Sequence, residues 1–387
     1  MVDNDPVDES RISPHRRRFL AIAGAAVGTA GLAGCLGNGE ESEGSTVADA
    51  DPLGSPVDST AVSWDDLGEL EGEITIYSGR TRDQIDPVFE ALEDRYDGFT
   101  ISTDYDDNDV HVNQIIQEGE ATPADIFYSQ DPGALNELAQ EDAIQELPND
   151  VIDAVDESYR SPDGLWTGVT GRVRSIQYNS ERLPFDAEEM PTDILEFATD
   201  ERFQGIISTR PNSGTFRGFI QAMVDRKGEQ TTREWISDMV EKQDAQLFSG
   251  GSTQAEEINR GSDDDPIVGL GNSYYAARIL NEDPDAPIRA TFTEGDAGCL
   301  FSIAGVGVTN NVENPELVAE VVRHLIAAEG QEFMMEANGE YPVVEGVEYV
   351  GELPDLEDIN PPSYDLTSFD MSLSDANDII REQGMAV

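Results

Sequence analysis

Glu73-Ile74-Thr75-Ile76-Tyr77-Ser78-Gly79-Arg80-Thr81 alternates polar and apolar residues up to Tyr77, turns at Gly79, and is followed by Ile85, Val88, Phe89, Leu92 and Tyr96 at helical spacing. Alternation places one face of a strand in a core, and the 3.6-residue period that follows is that of a half-buried helix. A strand, a glycine turn and a helix open an α/β unit. The rhythm recurs downstream. Phe99 to Tyr105 reads as a strand and Val110 to Gln117 as a helix; Ala124 to Tyr128 reads as a strand ending in the loop Ser129 to Gly133, and Ala134 to Gln140 as a helix. An alternating strand follows Trp166 to Arg174 and ends in Tyr178-Asn179. Strand-like Gly205 to Ser208 precedes a helical stripe of Phe216, Phe219, Ile220 and Met223; Ile267 to Gly271 precedes apolar Ala276 to Leu280; Val306 to Thr309 reads as a strand. Leu317 to Phe333 reads as one long amphipathic helix. The expectation is two α/β lobes of similar build sharing crossover strands, with ligand-binding loops at the carboxyl ends of strands, 78–81 and 129–133 among them.

Composition bounds the function. The 387 residues carry 80 acidic and 23 basic side chains, a net charge of −57, and only two lysines, Lys227 and Lys242. Such a field repels nucleic acid and anionic lipid. It suits hydration in concentrated salt, where a Debye length of about 3 Å at 1 M weakens self-repulsion. Arg16-Arg17-Arg18-Phe19-Leu20 contains a twin-arginine export pattern, and the Gly/Ala-rich run from Ala21 to Ala33 is too short to span a bilayer. Leu32-Ala33-Gly34-Cys35 resembles a lipobox, so residues 1–34 read as a signal peptide and Cys35 as the lipidated first mature residue. The acidic, Gly/Ser-rich stretch 35–70 reads as a flexible linker, and 71–387 as the folded part. The expected location is the outer face of the cytoplasmic membrane after twin-arginine export. Once Cys35 is lipidated, Cys299 is the one cysteine left and reads as a core residue; His111 and His324 are too few for a Cys/His zinc site.

Enzyme motifs are missing. Neither lysine follows a glycine, there is no Gly-x-Ser-x-Gly elbow, and Gly269-Leu270-Gly271 and Gly305-Val306-Gly307 lack the third glycine of a dinucleotide fingerprint and read as close packing. What remains is a binding constellation. Ser213-Gly214-Thr215 before a helical stripe is either an anion cradle or plain N-capping. Arg172 and Arg174 are read as facing opposite sides of a strand, one toward an anion and the other toward a surface carboxylate. Asn272 donates to that anion or closes a turn. Tyr274 and Tyr275 are either amphipathic packing or ligands for a hard trivalent cation, because Fe³⁺ can displace a phenolic proton that softer divalent ions leave in place. Two phenolates leave ferric iron one positive charge, which a bound anion neutralises.

Seven segments together resemble the ferric-ion-binding solute receptors of ABC importers, the bacterial iron transferrins. They are Ile-Tyr-Ser-Gly-Arg at 76–80, Pro-Ala-Asp-Ile-Phe at 123–127, Thr-Gly-Arg-Val-Arg at 170–174, Asn-Ser-Gly-Thr-Phe at 212–216, Asn-Ser-Tyr-Tyr at 272–275, Ala-Gly-Val-Gly-Val at 304–308 and Glu-Tyr-Pro-Val-Val at 340–344. The resemblance implies a two-lobed type II periplasmic-binding fold, with one lobe about 71–171 plus part of 305–387 and the other about 172–304. It implies a non-enzymatic, monomeric receptor of haloarchaeal lipoprotein type that hands its cargo to an ABC permease and binds no nucleic acid. Tyr274 and Tyr275 would ligate Fe³⁺; Ser213, Gly214, Thr215 and Asn272, with Arg172 nearby, would hold a synergistic carbonate or phosphate. Arg80, Thr81, Gln130 and Asp131 would be cleft contacts, Asp131 a possible extra ligand. Departures narrow the site: Thr81 stands where some members have a histidine ligand, Gln130 where they have a glutamate, and Ser249-Gly250-Gly251-Ser252 lacks an anion-binding asparagine. The alternative within the same fold is a receptor for a phosphonate, a polyamine or a similar organic or oxyanion ligand.

Overall fold

The computed structural model describes residues 61–362 and 371–385. The twin-arginine segment, Cys35 and the stretch up to residue 60 lie outside them; residues 61–70, expected as the end of a flexible linker, are instead packed, with Trp64 and Leu70 buried and Ser63 bonded to Glu329. The chain opens as its alternation predicts. Strand β1 (Gly72–Ser78) leads into helix α1 (Arg82–Arg95), β2 (Phe99–Tyr105), α2 (Asn108–Glu118), β3 (Ile126–Ser129) and α3 (Pro132–Gln140). β1 lies between β2 and β3, parallel to both, with Ser78 opposite Tyr105 and Tyr128. The turns after β1 and β3 therefore share one end of the sheet, and Gly79 N–H donates to the Tyr128 carbonyl at 2.9 Å.

After the short β4 (Ile144–Gln145) comes β5 (Trp166–Asn179), which positions everything else. Thirteen of its fourteen residues are buried. The second half of the chain adds β6 (Ile207–Thr209), α4 (Gly214–Lys227), α5 (Glu229–Glu241), β7 (Gln246–Leu247), α6 (Gly251–Arg260), β8 (Val268–Asn272), α7 (Ser273–Glu282), β9 (Ile288–Thr291) and β10 (Phe301–Thr309). The strand order is β2-β1-β3-β10-β5-β8-β6-β7. Up to Val173, β5 pairs antiparallel with β10; from Arg174 onward it pairs with β8 and β9. One strand thus belongs to two pairing systems, and the partner changes between adjacent residues. At that point Arg174 N–H donates to the Leu300 carbonyl at 3.0 Å, just before β10 begins. The close-packing reading of Gly305 is met: a Cβ there would lie 2.5 Å from the Thr167 carbonyl oxygen of β5.

Two apolar clusters form. One gathers residues such as Ile76, Phe127, Val306 and Leu325; the other gathers Phe197, Phe216, Trp235 and Leu270. The final helix, α10 (Leu373–Glu382), packs Ala376, Ile379 and Ile380 into the second cluster, bringing the end of the chain back against α4. Cys299 is a buried free thiol, and His111 and His324 are buried as well.

The single long helix expected over Leu317 to Phe333 is corrected. It is two helices, α8 (Pro315–Ile326) and α9 (Ala328–Asn338), separated by Ala327 in an extended conformation. The apolar period runs through the break, so the sequence does not mark it. Tertiary hydrogen bonds make it. Ala328 N–H donates to the Val62 carbonyl, and the Gln331 amide donates to the carbonyls of Val169 and Leu325. These partners satisfy groups that an uninterrupted helix would pair internally. β11 (Tyr341–Pro342) then pairs with β5 opposite Gly171 and Thr170.

Candidate metal and anion site

The end of β8 and the start of α7 are one residue apart. Asn272 has extended backbone (φ −83°, ψ 140°) and is the N-cap residue, which puts Tyr274 and Tyr275 in the first helical turn. Their ring centroids are 4.1 Å apart at an interplanar angle of 44°. Tyr274 is buried and Tyr275 is half-buried. Burial pushes the Tyr274 phenol far above its usual range, the neighbouring Tyr275 pushes it further, and Arg172 and Asn272 pull it back. The N-terminal end of a helix favours negative charge by its dipole, so a phenolate is better accommodated there than elsewhere on α7. Arg210 Nη1 donates to Tyr275 Oη at 3.2 Å.

A second helix start faces this one. Ser213 is the N-cap of α4, and its hydroxyl accepts from Phe216 N–H at 3.1 Å. Capping thus occupies one lone pair of Ser213. Thr215 Oγ1 lies 3.3 Å from Ser213 Oγ and accepts from Asn272 Nδ2 at 3.2 Å. That bond joins the cap of the tyrosine helix to the first turn of α4. Gly214, Thr215 and Asn272 line one cavity of about 70 Å³ together with Asp131, Arg172 and Arg174.

The opposite-faces reading of Arg172 and Arg174 is wrong. Residues two apart on a strand share a face, and both guanidiniums line the same cavity. Arg172 is buried, donates through Nη2 to the Gln130 carbonyl, and leaves Nη1 buried with no hydrogen-bond partner. Burial lowers its pKa from the ordinary arginine value, against the pull of Glu340. Buried donors are rarely left unpaired, so a cavity with an orphaned guanidinium N–H, a threonine hydroxyl and a helix N-terminus fits a small anion.

The loop residues have other occupations. Arg80 is buried and paired with Glu340 at 2.8 Å, with Thr170 at 3.5 Å from Nη1. Thr81 is exposed and caps α1: its hydroxyl donates to Asp83 at 2.6 Å and its N–H to Gln84 at 3.1 Å. Gln130 uses its side-chain amide on the Gly79 carbonyl. Asp131 caps α3, with Oδ1 accepting from Ala134 N–H at 3.1 Å and Oδ2 from Asn108 Nδ2 at 2.6 Å, yet it still borders the cavity. Among the described residues no group of three or more His, Cys, Asp or Glu could hold a metal. A metal at this site would need the phenols.

Sequence reasoning missed Arg210, which carries no pattern of its own, and Glu340, whose carboxylate holds Arg80 Nη2 and accepts from Thr170 Oγ1 at 2.9 Å. Glu340 stands in a segment that matches the resemblance, so that segment was visible while its role was not. No described helix is long and apolar enough to cross a membrane.

Residues 121–365 match the profile of the family described as bacterial extracellular solute-binding protein. Iron uptake protein A1 of Synechocystis sp. is 27% identical over 335 residues, covering 83% of this chain and 89% of that protein. The Fe(3+)-binding periplasmic protein of Serratia marcescens is 26% identical over 254 residues, covering 65% of this chain and 74% of its own. Iron-bound HitA from Pseudomonas aeruginosa superposes with a TM-score of 0.73 at 22% identity, over 81% of this chain and 99% of that one. At that identity the likeness establishes the fold alone.

Proposed function

Because the chain belongs to the bacterial extracellular solute-binding protein family and has the two-lobed type II periplasmic-binding fold, we propose that it is the substrate-binding component of an ABC importer whose cargo is ferric iron. The observation that carries this reading is the Tyr274–Tyr275 pair, 4.1 Å between ring centroids, beside a cavity with an unpaired Arg172 N–H. The names of the Synechocystis and Serratia relatives support it. Fe³⁺ displaces both phenolic protons, and a small synergistic anion, carbonate or phosphate, held by Arg172, Thr215 and Asn272 cancels the remaining charge. A small cavity lined by Arg172 and Arg174 suits such an anion, and its two guanidiniums disfavour a cationic polyamine.

Thr81 and Gln130 are engaged in capping and in a backbone bond, which leaves the two tyrosines the larger share of the coordination. The lobes, about 71–171 with part of 305–387 and about 172–304, close over the cargo by bending where β5 changes partners, at Val173 and Arg174. Twin-arginine export and a lipid anchor at Cys35 hold the receptor, as a monomer, beside its permease in the cytoplasmic membrane. The acidic surface keeps it hydrated in concentrated salt, consistent with a haloarchaeal type of lipoprotein.

Adding ferric citrate to the iron-free protein in the presence of bicarbonate is the decisive test. A visible phenolate-to-iron absorption band is expected, lost in the Tyr274→Phe, Tyr275→Phe double variant. Absence of the band, or its persistence in that variant, overturns the assignment.

A further inference from the structure

Arg174 is 6% exposed, and among the described residues no carboxylate lies within ion-pair reach of it. Its guanidinium carbon sits 4.5 Å from the ring centroid of Phe219 and 5.4 Å from that of Phe216, both on α4. The contrast with its neighbours is informative. Arg80 is buried with Glu340 as counter-ion, and Arg172 is buried with the Gln130 carbonyl as acceptor. In a chain with 80 acidic residues, a buried arginine that rests on two aromatic faces and makes no ion pair among the described residues stands apart, although Asp131 borders the same cavity. Burial, with nothing offsetting it, lowers its pKa to about 9, so the group is still charged at neutral pH. A buried unpaired cation is costly unless a ligand supplies the missing charge. The cavity that Arg174 lines is the one that holds Arg172.

We propose that Arg174 is a second cation of the anion cavity, and that the Arg172/Arg174 pair makes the site selective for a small, doubly charged oxyanion over a singly charged one. The inference deepens the anion half of the proposed function and does not require that the metal be iron. A volume of about 70 Å³, several times the roughly 10–15 Å³ that one water needs on the same measure, admits an ion the size of phosphate, sulfate or carbonate. Two guanidiniums lining one cavity attract a doubly charged oxyanion more strongly than a singly charged one, because each can make a charge-assisted contact to it. The cation–π contact seats the guanidinium carbon against the rings of α4, and Arg174 lines the cavity beside the first turn of the same helix.

The test uses iron-free protein and isothermal calorimetry with phosphate, sulfate and nitrate, so its outcome is separable from that of the ferric titration. Wild type is expected to bind phosphate and sulfate about tenfold or more tighter than nitrate. Arg174→Met keeps an apolar stem against Phe216 and Phe219 and is expected to lose that preference, while Arg174→Lys retains part of it. The thermal midpoint of anion-free Arg174→Met is expected to match or exceed that of wild type, because an uncompensated charge has been removed. Phosphate binding unchanged in a folded Arg174→Met overturns the proposal, as does a wild type that binds none of the anions or does not distinguish phosphate from nitrate. Should Arg174→Met fail to fold, Arg174→Gln, which removes the charge and keeps a polar side chain, takes its place, and wild-type phosphate affinity in it would also overturn the proposal. A missing iron band with these anion results intact would reject the cargo and leave the anion site standing.

Discussion

Gly251 lies under the ring of Tyr275 so closely that a Cβ on it would stand 2.2 Å from Cε2 and 2.7 Å from the hydroxyl oxygen. The first residue of α6 is thereby a wall for one of the two phenols, and Arg210, at 3.2 Å from the same hydroxyl, is another. The backbone at Gly251 needs no positive φ, so alanine is tolerated by the helix itself. What must move is the Tyr275 ring, and with it the Arg210 bond. Gly251→Ala is expected to fold normally and to weaken ferric binding by about 10- to 100-fold, the range seen when supports of a metal ligand are altered. Competition against citrate, followed by the absorption band, measures it. A variant with wild-type affinity would show that Tyr275 is not a ligand in the position it occupies here.

Iron binding should also be steeply dependent on pH, and the sign follows from the Tyr274 phenol. Burial holds its pKa far above the ordinary value, so the iron-free protein carries the proton at all physiological pH. Ferric iron must release it. Raising pH therefore favours loading and lowering pH favours release. With two phenolates formed, the logarithm of the association constant should rise by about two per pH unit between about pH 6 and pH 8. Tyr274→Phe should reduce that slope to about one. A flat profile would mean that no phenolate forms.

Much of this was legible from residue types and spacing, and the failures have identifiable causes. β2 runs over the residues its alternation marks, Phe99 to Tyr105, because local pattern and final burial agree there. The break at Ala327 was invisible: the apolar period of α8 and α9 is continuous, and the interruption is held by the bonds of Ala328 and Gln331 to Val62 and Val169, partners distant in sequence. At the site, Tyr274, Tyr275, Thr215, Asn272 and Arg172 are adjacent in the fold because two strands end beside one another, with Arg174 opposite Asn272 in the β5–β8 register. The side of the strand on which Arg174 lies follows from the two-residue period alone, and misapplying that period hid the second arginine. Arg210 could not have been found, since its relation to Tyr275 spans 65 residues and depends on the parallel pairing of β6 with β8, whose ends lead into the two residues.

The Arg80–Glu340 pair offers a test of what holds the cleft floor. Both side chains are 1% exposed, and Glu340 also accepts from Thr170 on β5, so one carboxylate joins the turn after β1, the crossover strand and the segment leading into β11. Burial alone would lower the Arg80 pKa, and attraction to Glu340 with neighbouring phenols more than offsets it, so the guanidinium stays charged. Removing one partner leaves that charge buried and uncompensated. Glu340→Gln is therefore expected to destabilise the protein by about 3–5 kcal/mol, read from the denaturant midpoint. The Arg80→Met, Glu340→Met double variant should recover much of that loss, because apolar side chains of similar volume can replace a buried pair. The loss should also be nearly independent of salt, in contrast to the exposed pair of Lys242 with Asp238 at 2.7 Å, because screening acts on charges in contact with solvent. A Glu340→Gln penalty below about 1 kcal/mol, or one that disappears in molar salt, would place this pair with the surface bridges.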